Sequence, residues 1–350
     1  MMKLNLKSVI AAACLVSSIS SAIAAPIHFP ANKRKAKNKT IVFVIGDHEY
    51  KSERSMPLMA NILAERHGFD CYAVFSTDEK GKIIPSADNI EGLEILKKAD
   101  LMVSYNRFRC LPDEQMQHIV DYLATGKPII GMRTSTHAFN YAKNPDSKFA
   151  KYSYNYKGDD YKGGFGKQVL GETWIGHWGK KHKESSRGVF APGQKTHPIL
   201  KGIKDGEIWG TTDVYEVKLP LTEGCTPILL GEVVDGMTFD SPALADKDPK
   251  SKNHKERKNS PMMPVSWTYQ RPVGEKGRVF TSTIGGERSG VDEFDRAGMR
   301  RMFVNACYWT LKIENQIPNS SDVTPTFDLK KNPFKRGVTP EKALKAAYAK

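Results

Sequence analysis

Three histidines and two glutamates set the chemical question. His48 and Glu49 adjoin in "GDHEY", His137 ends the polar run of "KPIIGMRTSTHAFNY", and "LGETWIGHWG" places Glu172 five residues before His177. Imidazole and carboxylate groups suit general acid–base work near neutral pH. Imidazole also ligates divalent metals such as zinc, so His137 and His177 are candidate ligands for such an ion. Arg109 and Arg133 could hold a carboxylate, a phosphate or a sugar hydroxyl. Trp174 and Trp178 flank His177 and could stack on a sugar ring. Ser135 sits in the knot "RTSTH", residues 133–137, directly after an apolar run. A strained nucleophile elbow needs small residues on both sides of the nucleophile. Counting from Gly131, the centre of such a pattern is Arg133, and His137 stands where a small residue would be needed after Ser135. Acyl chemistry at this strand end is therefore disfavoured, and Ser135 is expected to bind ligand or cap the next segment.

The elements that must bring these residues together are legible. Short apolar runs, Ile41 to Ile45, "FDCYAVFS" (69–76), "DLMVSY" (100–105) and "KPIIGMR", read as strands. Helical patterns lie between them: "SERSMPLMANILAERHG", "NIEGLEILKKA" and "LPDEQMQHIVDYLATG", the first and third closing on Gly68 and Gly126. Continuously apolar strands alternating with helices imply a mostly parallel sheet covered on both faces, a doubly wound α/β fold of flavodoxin type. In such sheets ligands bind beyond the carboxyl ends of the strands. The loops bearing His48 and Glu49, Arg109, and Arg133 to His137 are then expected to converge.

After residue 140 the pattern loosens into loop and β insertions. A Tyr-, Gly- and Lys-rich stretch, "NPDSKFAKYSYNYKGDDYKGGFGKQ", reads as a loop or lid. Strands are expected at "RGVFAP", "IWGTTDVYEV", "TPILLGEVV", "MPVSWTY" and "GRVFTSTIGG", and a helix at 294–312. The division expected is a leader at 1–24, a basic linker at 25–38, an α/β domain at 39–313 and a polar tail at 314–350 with a last helix at "TPEKALKAAYA". Cys71, Cys110, Cys225 and Cys307 show no paired spacing and are expected as free thiols. The net charge is +14, much of it in "NKRKAKNK", "KDPKSKNHKERK" and the tail. Those runs lack the interleaved aromatics of a nucleic-acid surface, so they read as solvated segments and no nucleic acid is expected as partner.

The order and spacing of "GDHEY", "ADLMVSYNRFRCLPDEQMQHIVDYLATGKPIIGMRTSTHAFNY", "LGETWIGHWG", "THPILKGI", "EIWGTTDVYEV" and "MPVSWTY" with "GRVFTSTIGG" resemble the ThuA-like, or trehalose-utilisation, family over about Lys39 to Leu311. The resemblance is nearest to exported ThuA-like proteins of Planctomycetes. It implies a fold related to class I glutamine amidotransferases but without their activity. It implies carbohydrate metabolism, a small-molecule carbohydrate such as trehalose or a keto sugar as partner, and a divalent metal in some members. It places His137 and His177 at polar cleft positions and His197 in a His-Pro motif read as structural. Where many members carry Gly-His after the last core strand, this chain has Gly285, Gly286 and Glu287. Two expectations follow: an enzyme that processes a sugar or glycoside, or an accessory protein that binds carbohydrate without turning it over.

Lys3 and Lys7, the apolar run "SVIAAACLV" and the small-residue site Ala22-Ile23-Ala24 form a secretory leader. The run is too short to span a bilayer comfortably. The protein is expected to be exported, periplasmic or secreted, with cleavage after Ala24 and no transmembrane segment left. N-terminal sequencing of natively made protein should begin at Ala25, and intact Met1 recovered from the cytosol would refute export.

Overall fold

A computed structural model describes residues 25–248, 250–286, 294–328 and 331–349. The expected leader at 1–24 and Glu287 lie outside the described residues.

The centre is a ten-stranded sheet. Its strands are β1 (Ile27–Phe29), β2 (Thr40–Gly46), β3 (Asp70–Phe75), β4 (Leu101–Asn106), β5 (Ile129–Met132), β7 (Glu184–Phe190), β8 (Ile208–Gly210), β10 (Cys225–Asp235), β11 (Met263–Gln270) and β12 (Arg278–Ser282). The spatial order is β1-β3-β2-β4-β5-β12-β11-β10-β7-β8. Strands β3, β2, β4, β5 and β12 run parallel. Strand β1 on one edge, and β11, β10, β7 and β8 on the other side, pair antiparallel. The segment after residue 140 thus completes the sheet instead of decorating it. A separate ribbon pairs β6 (Gly176–His177) with β9 (Tyr215–Glu216).

Both faces of the parallel block are covered, which is why its strands are apolar throughout. Phe43 and Ile45 of β2 face α1 (Ser52–His67) and α4 (Ala297–Thr310) in one core. Val42 and Val44 face α2 (Asp113–Thr125), the 3-10 turn Leu93–Lys98 and α3 (Gly164–Leu170) in the other. Gly68 and Gly126 stop α1 and α2 with φ of +74° and +73°, a left-handed conformation that costs glycine least. The strand order reverses between β2 and β4, and the loops after those strands meet through Arg107, His48 and Glu49.

Several expected loops prove to be packed structure. The Tyr-rich stretch contributes buried Phe149, Tyr152 and Phe165, the last from α3. The basic linker supplies β1, whose Phe29 is fully buried. The polar tail inserts Phe334 among Phe29, Phe75 and Phe327 before α5 (Pro340–Tyr348). Lys258, expected as part of a solvated run, is 4% exposed and pairs with Glu184 at 2.6 Å. Each correction has the same cause: a few apolar residues, or one paired charge, suffice to bury a segment whose average composition is polar. The four cysteines are free, as expected. Among the described residues no helix is long and apolar enough to cross a membrane.

Phe334→Ala should remove a buried ring at the junction of tail and sheet and lower unfolding free energy by about 3–5 kcal/mol in a denaturant titration. His67 supplies a second prediction. Burial, opposed by its contact with the Asp322 carbonyl, pushes its imidazole down to about 4. Between there and the ordinary value of 6.5 the unfolded chain binds a proton that the folded chain refuses. Its contribution is therefore present at neutral pH and is lost as pH falls below 6.5. The residue should account for roughly 2 kcal/mol of acid destabilisation between pH 7 and 4.5. His67→Gln should flatten that part of the stability profile, and an unchanged profile would contradict it.

Candidate functional site

Strand β5 ends at Met132, and the next residue turns sharply. Arg133 has φ of +38°, a left-handed conformation unfavourable for a side chain of its size. The guanidinium explains how it is held. Arg133 is 0% exposed, and its Nη1 donates to the carbonyls of Asp213 at 3.0 Å and Thr283 at 2.6 Å. Nη2 donates to Asp213 Oδ1 at 3.0 Å and Tyr50 Oη at 3.2 Å. The Tyr215 ring lies against it, 3.3 Å from Cζ to centroid. Gly285 lets the side chain through, since a Cβ there would stand 3.1 Å from Arg133 Cδ. Arg133 is therefore not available to substrate, contrary to expectation: it is fully enclosed, Nη1 and Nη2 donate inside the protein, and Nε has no partner among the described residues.

The rest of the knot braces neighbouring strand ends. Thr134 donates to buried Asp47, which also accepts the backbone N–H groups of Glu49 and Tyr50 at 2.7 and 2.6 Å. Ser135 Oγ donates to the Ser104 carbonyl at 2.6 Å and accepts from Asn106 N at 3.3 Å. Ser135 is fully buried and its hydroxyl ties the knot to β4, so it neither caps the next segment nor faces a ligand.

A histidine–aspartate pair comes from the ribbon. Pairing of His177 with Tyr215 in β6 and β9 brings Asp213, two residues earlier, beneath the imidazole. His177 Nδ1 lies 2.7 Å from Asp213 Oδ2, with the imidazole 42% exposed and the carboxylate 1%. Burial is the largest influence on Asp213 and pushes its carboxyl up, but the His177 hydrogen bond and the Arg133 charge outweigh it and hold the group below its ordinary value. The carboxylate is thus ionised and accepts Nδ1–H, which leaves Nε2 as the free basic atom of His177. Asp213 was missed in the sequence. The available signal was an acid just after the short strand of "EIWGTTDVYEV", two residues before a tyrosine.

His137 stands in the same crevice in the opposite environment. It is 2% exposed and enclosed by Phe108, Tyr154, Trp174 and Tyr215 at 4.8, 6.3, 4.9 and 5.7 Å between ring centroids. Trp174 and Tyr215 also lie 5.5 and 5.8 Å from the His177 ring, so two aromatic rings bridge the histidines. Burial, then the charges of Arg107 and Arg133, push the His137 imidazole well below its ordinary value. It is neutral at pH 7. Its Nδ1 lies 3.3 Å from Thr136 Oγ1.

The other expected site residues divide. His48, Glu49 and Arg109 form a rim: Arg107 bridges His48 at 2.7 Å and Glu49 at 2.7 Å, Lys181 also pairs with Glu49, and Arg109 contacts His48 at 3.2 Å. Arg109 is 3% exposed and its other donors go to the Arg107 and Ala87 carbonyls, so it shapes the rim from within. Glu172 is buried and binds Lys167 and Thr222, a structural tie and not a facing acid. Trp178 lies in the core and donates Nε1–H to the Lys258 carbonyl, which removes it from any stacking role. His197 behaves as the structural reading expected, its Nδ1 accepting from Ile199 N at the turn of Pro198–Leu200.

Among the described residues no three His, Cys, Asp or Glu side chains are arranged to hold a metal ion. His137 and His177 supply two imidazoles, while Asp213 is turned to Arg133 and His177. The residues present do not complete the donor set expected of a divalent-metal site.

No family model matches the chain, and no curated protein matches it. Solved structures do. The chain is similar to a ThuA-like protein from Bacteroides uniformis, at 16% identity over 81% of this chain and 95% of that one, with a TM-score of 0.47. It is similar to a ThuA-like protein from Parabacteroides merdae, at 14% identity over 78% and 89%, with a TM-score of 0.46. Two structural neighbours that span most of the chain are thus ThuA-like proteins, at low identity.

Proposed function

We propose that this protein is an exported enzyme that performs acid–base chemistry on a carbohydrate in the crevice beyond the parallel strands. The observation that carries the reading is the His177–Asp213 pair: a buried, ionised carboxylate orients an exposed imidazole across 2.7 Å. In this reading His177 Nε2 takes and returns a proton. Neutral His137, on the facing side of Trp174 and Tyr215, polarises the reacting group without adding charge. Trp174, Tyr154 and Phe108 offer ring faces to a sugar. The order of the parallel block, β3-β2-β4-β5-β12, supports reading it as a flavodoxin-like arrangement, whose reversal point is where such folds bind ligands. The motifs shared with ThuA-like proteins support trehalose or a keto sugar as the substrate class. With the Ser135 hydroxyl buried and bonded to the Ser104 carbonyl, amidotransferase-like acyl chemistry has no free nucleophile in the knot.

Carbohydrate binding without turnover is the second reading. It is favoured by the ring-lined wall combined with carboxylates, Asp47 and Asp213, that are already committed to protein donors.

A screen of disaccharides and their keto forms should reveal turnover by the parent protein. His177→Gln should lower kcat by about a hundredfold or more while leaving Tm near the parent value, because the imidazole is largely exposed. Asp213→Asn should lower both kcat and Tm, since it strands the buried Arg133 guanidinium without its counter-charge. Sugar binding with no turnover of any member would favour the binding reading. Full activity in His177→Gln would end the catalytic one.

A further inference from the structure

The rim around His48 contains a hydrogen-bonding conflict. Arg107 Nη1 lies 2.7 Å from His48 Nε2, and Arg109 Nη2 lies 3.2 Å from His48 Nδ1. A guanidinium presents only N–H groups and keeps its charge in proteins. A neutral imidazole has one accepting nitrogen, and a protonated one has none. One of the two contacts must therefore set N–H against N–H. The charges nearby are also short of acceptors. Arg107 and Lys181 share the Glu49 carboxylate, and Arg109 and Lys143 share that of Asp88. Arg107 Nε is buried and has no hydrogen-bond partner among the described residues. Four cations thus meet three carboxylates, Glu49, Asp88 and the buried Asp47, at a corner whose outer side is closed by the exposed His48.

We infer that this corner binds the oxyanion of an acidic sugar, a carboxylate or phosphate ester that replaces the His48 ring against Arg107 and Arg109. The inference rests on the carbohydrate reading and narrows it to anionic sugars. Two guanidinium groups that approach the two nitrogens of one ring can both donate to the several acceptors of an oxyanion in its place, whereas an imidazole satisfies only one of them. The burial of Arg109 keeps its fork fixed, so an arriving oxyanion meets a donor that needs no reordering.

The test is calorimetric titration of the mature chain at low salt with glucuronate, glucose 6-phosphate, glucose and inorganic phosphate. At least one acidic sugar should bind tenfold or more tightly than glucose, and the one that does identifies the oxyanion. The preference should shrink as salt rises. Arg107→Gln should abolish most of it. His48→Ala, which removes the competing ring, should tighten acidic-sugar binding several-fold and keeps the test open if Arg107→Gln fails to fold. Equal affinity for glucose and both acidic sugars overturns the inference, as does an unchanged preference in folded Arg107→Gln or no gain in His48→Ala. If no sugar binds but inorganic phosphate does, and Arg107→Gln abolishes that binding, the anion corner stands and the carbohydrate reading falls. If neither sugars nor phosphate bind, both fall.

Discussion

The buried guanidinium of Arg133 is the contact on which the site depends. From the end of β5 it reaches the carbonyl of Thr283 beyond β12, the hydroxyl of Tyr50 beyond β2, and both the carbonyl and carboxylate of Asp213 ahead of β9. A charge this deep is tolerated only when a counter-charge stands close and most of its donors are met, and here Nε alone of the guanidinium nitrogens lacks a partner among the described residues. Asp213 supplies that charge, and Tyr215 covers the guanidinium face. Against burial, which raises its carboxyl, the His177 hydrogen bond and then the Arg133 charge hold Asp213 ionised, and an ionised Asp213 is what orients His177. The strained turn at Arg133 follows from this placement, because the side chain must leave the strand end in the direction of Asp213.

Much of the fold could be read from the sequence because local rules and tertiary packing agree there. The runs at Ile41 to Ile45 and "DLMVSY" became strands within a residue of their expected limits, and Gly68 and Gly126 stop the helices they were expected to stop. The site was read less well, for a different reason. His137 and His177 announce themselves by type, but Asp213 is one acid among many, and only the β6–β9 pairing places it under His177. Arg133 and Trp178 were drawn toward substrate by their chemistry. Nothing local to either says that the guanidinium would be fully enclosed or that the indole N–H would meet the Lys258 carbonyl. Composition misled in the same way at the tail, where one phenylalanine, Phe334, anchors a polar segment.

The knot after β5 also explains why the crevice has firm walls. Thr134 ties it to the loop after β2 through Asp47, and Ser135 ties it to β4 through Ser104. Three strand ends are thereby fixed to one another before any ligand arrives. Preorganisation of this kind lowers the cost of holding polar groups in place during a reaction. It also means that substitutions inside the knot should act on geometry first and on chemistry only through it.

The two cleft histidines illustrate how environment separates roles for one residue type. His137 is enclosed by rings and faces the fields of Arg107 and Arg133, all of which disfavour a second positive charge. His177 is open to solvent on one side and rests on an ionised carboxylate on the other. An imidazole of the first kind can donate or accept a hydrogen bond but resists protonation. One of the second kind can gain a proton and has a counter-charge in place when it does. Exchange of their environments would remove both abilities, since a carboxylate under His137 would charge it and a buried His177 would lose contact with solvent. The division of labour in this crevice is thus set by Asp213 on one side and by the wall of Phe108, Tyr154 and Trp174 on the other, more than by the histidines themselves.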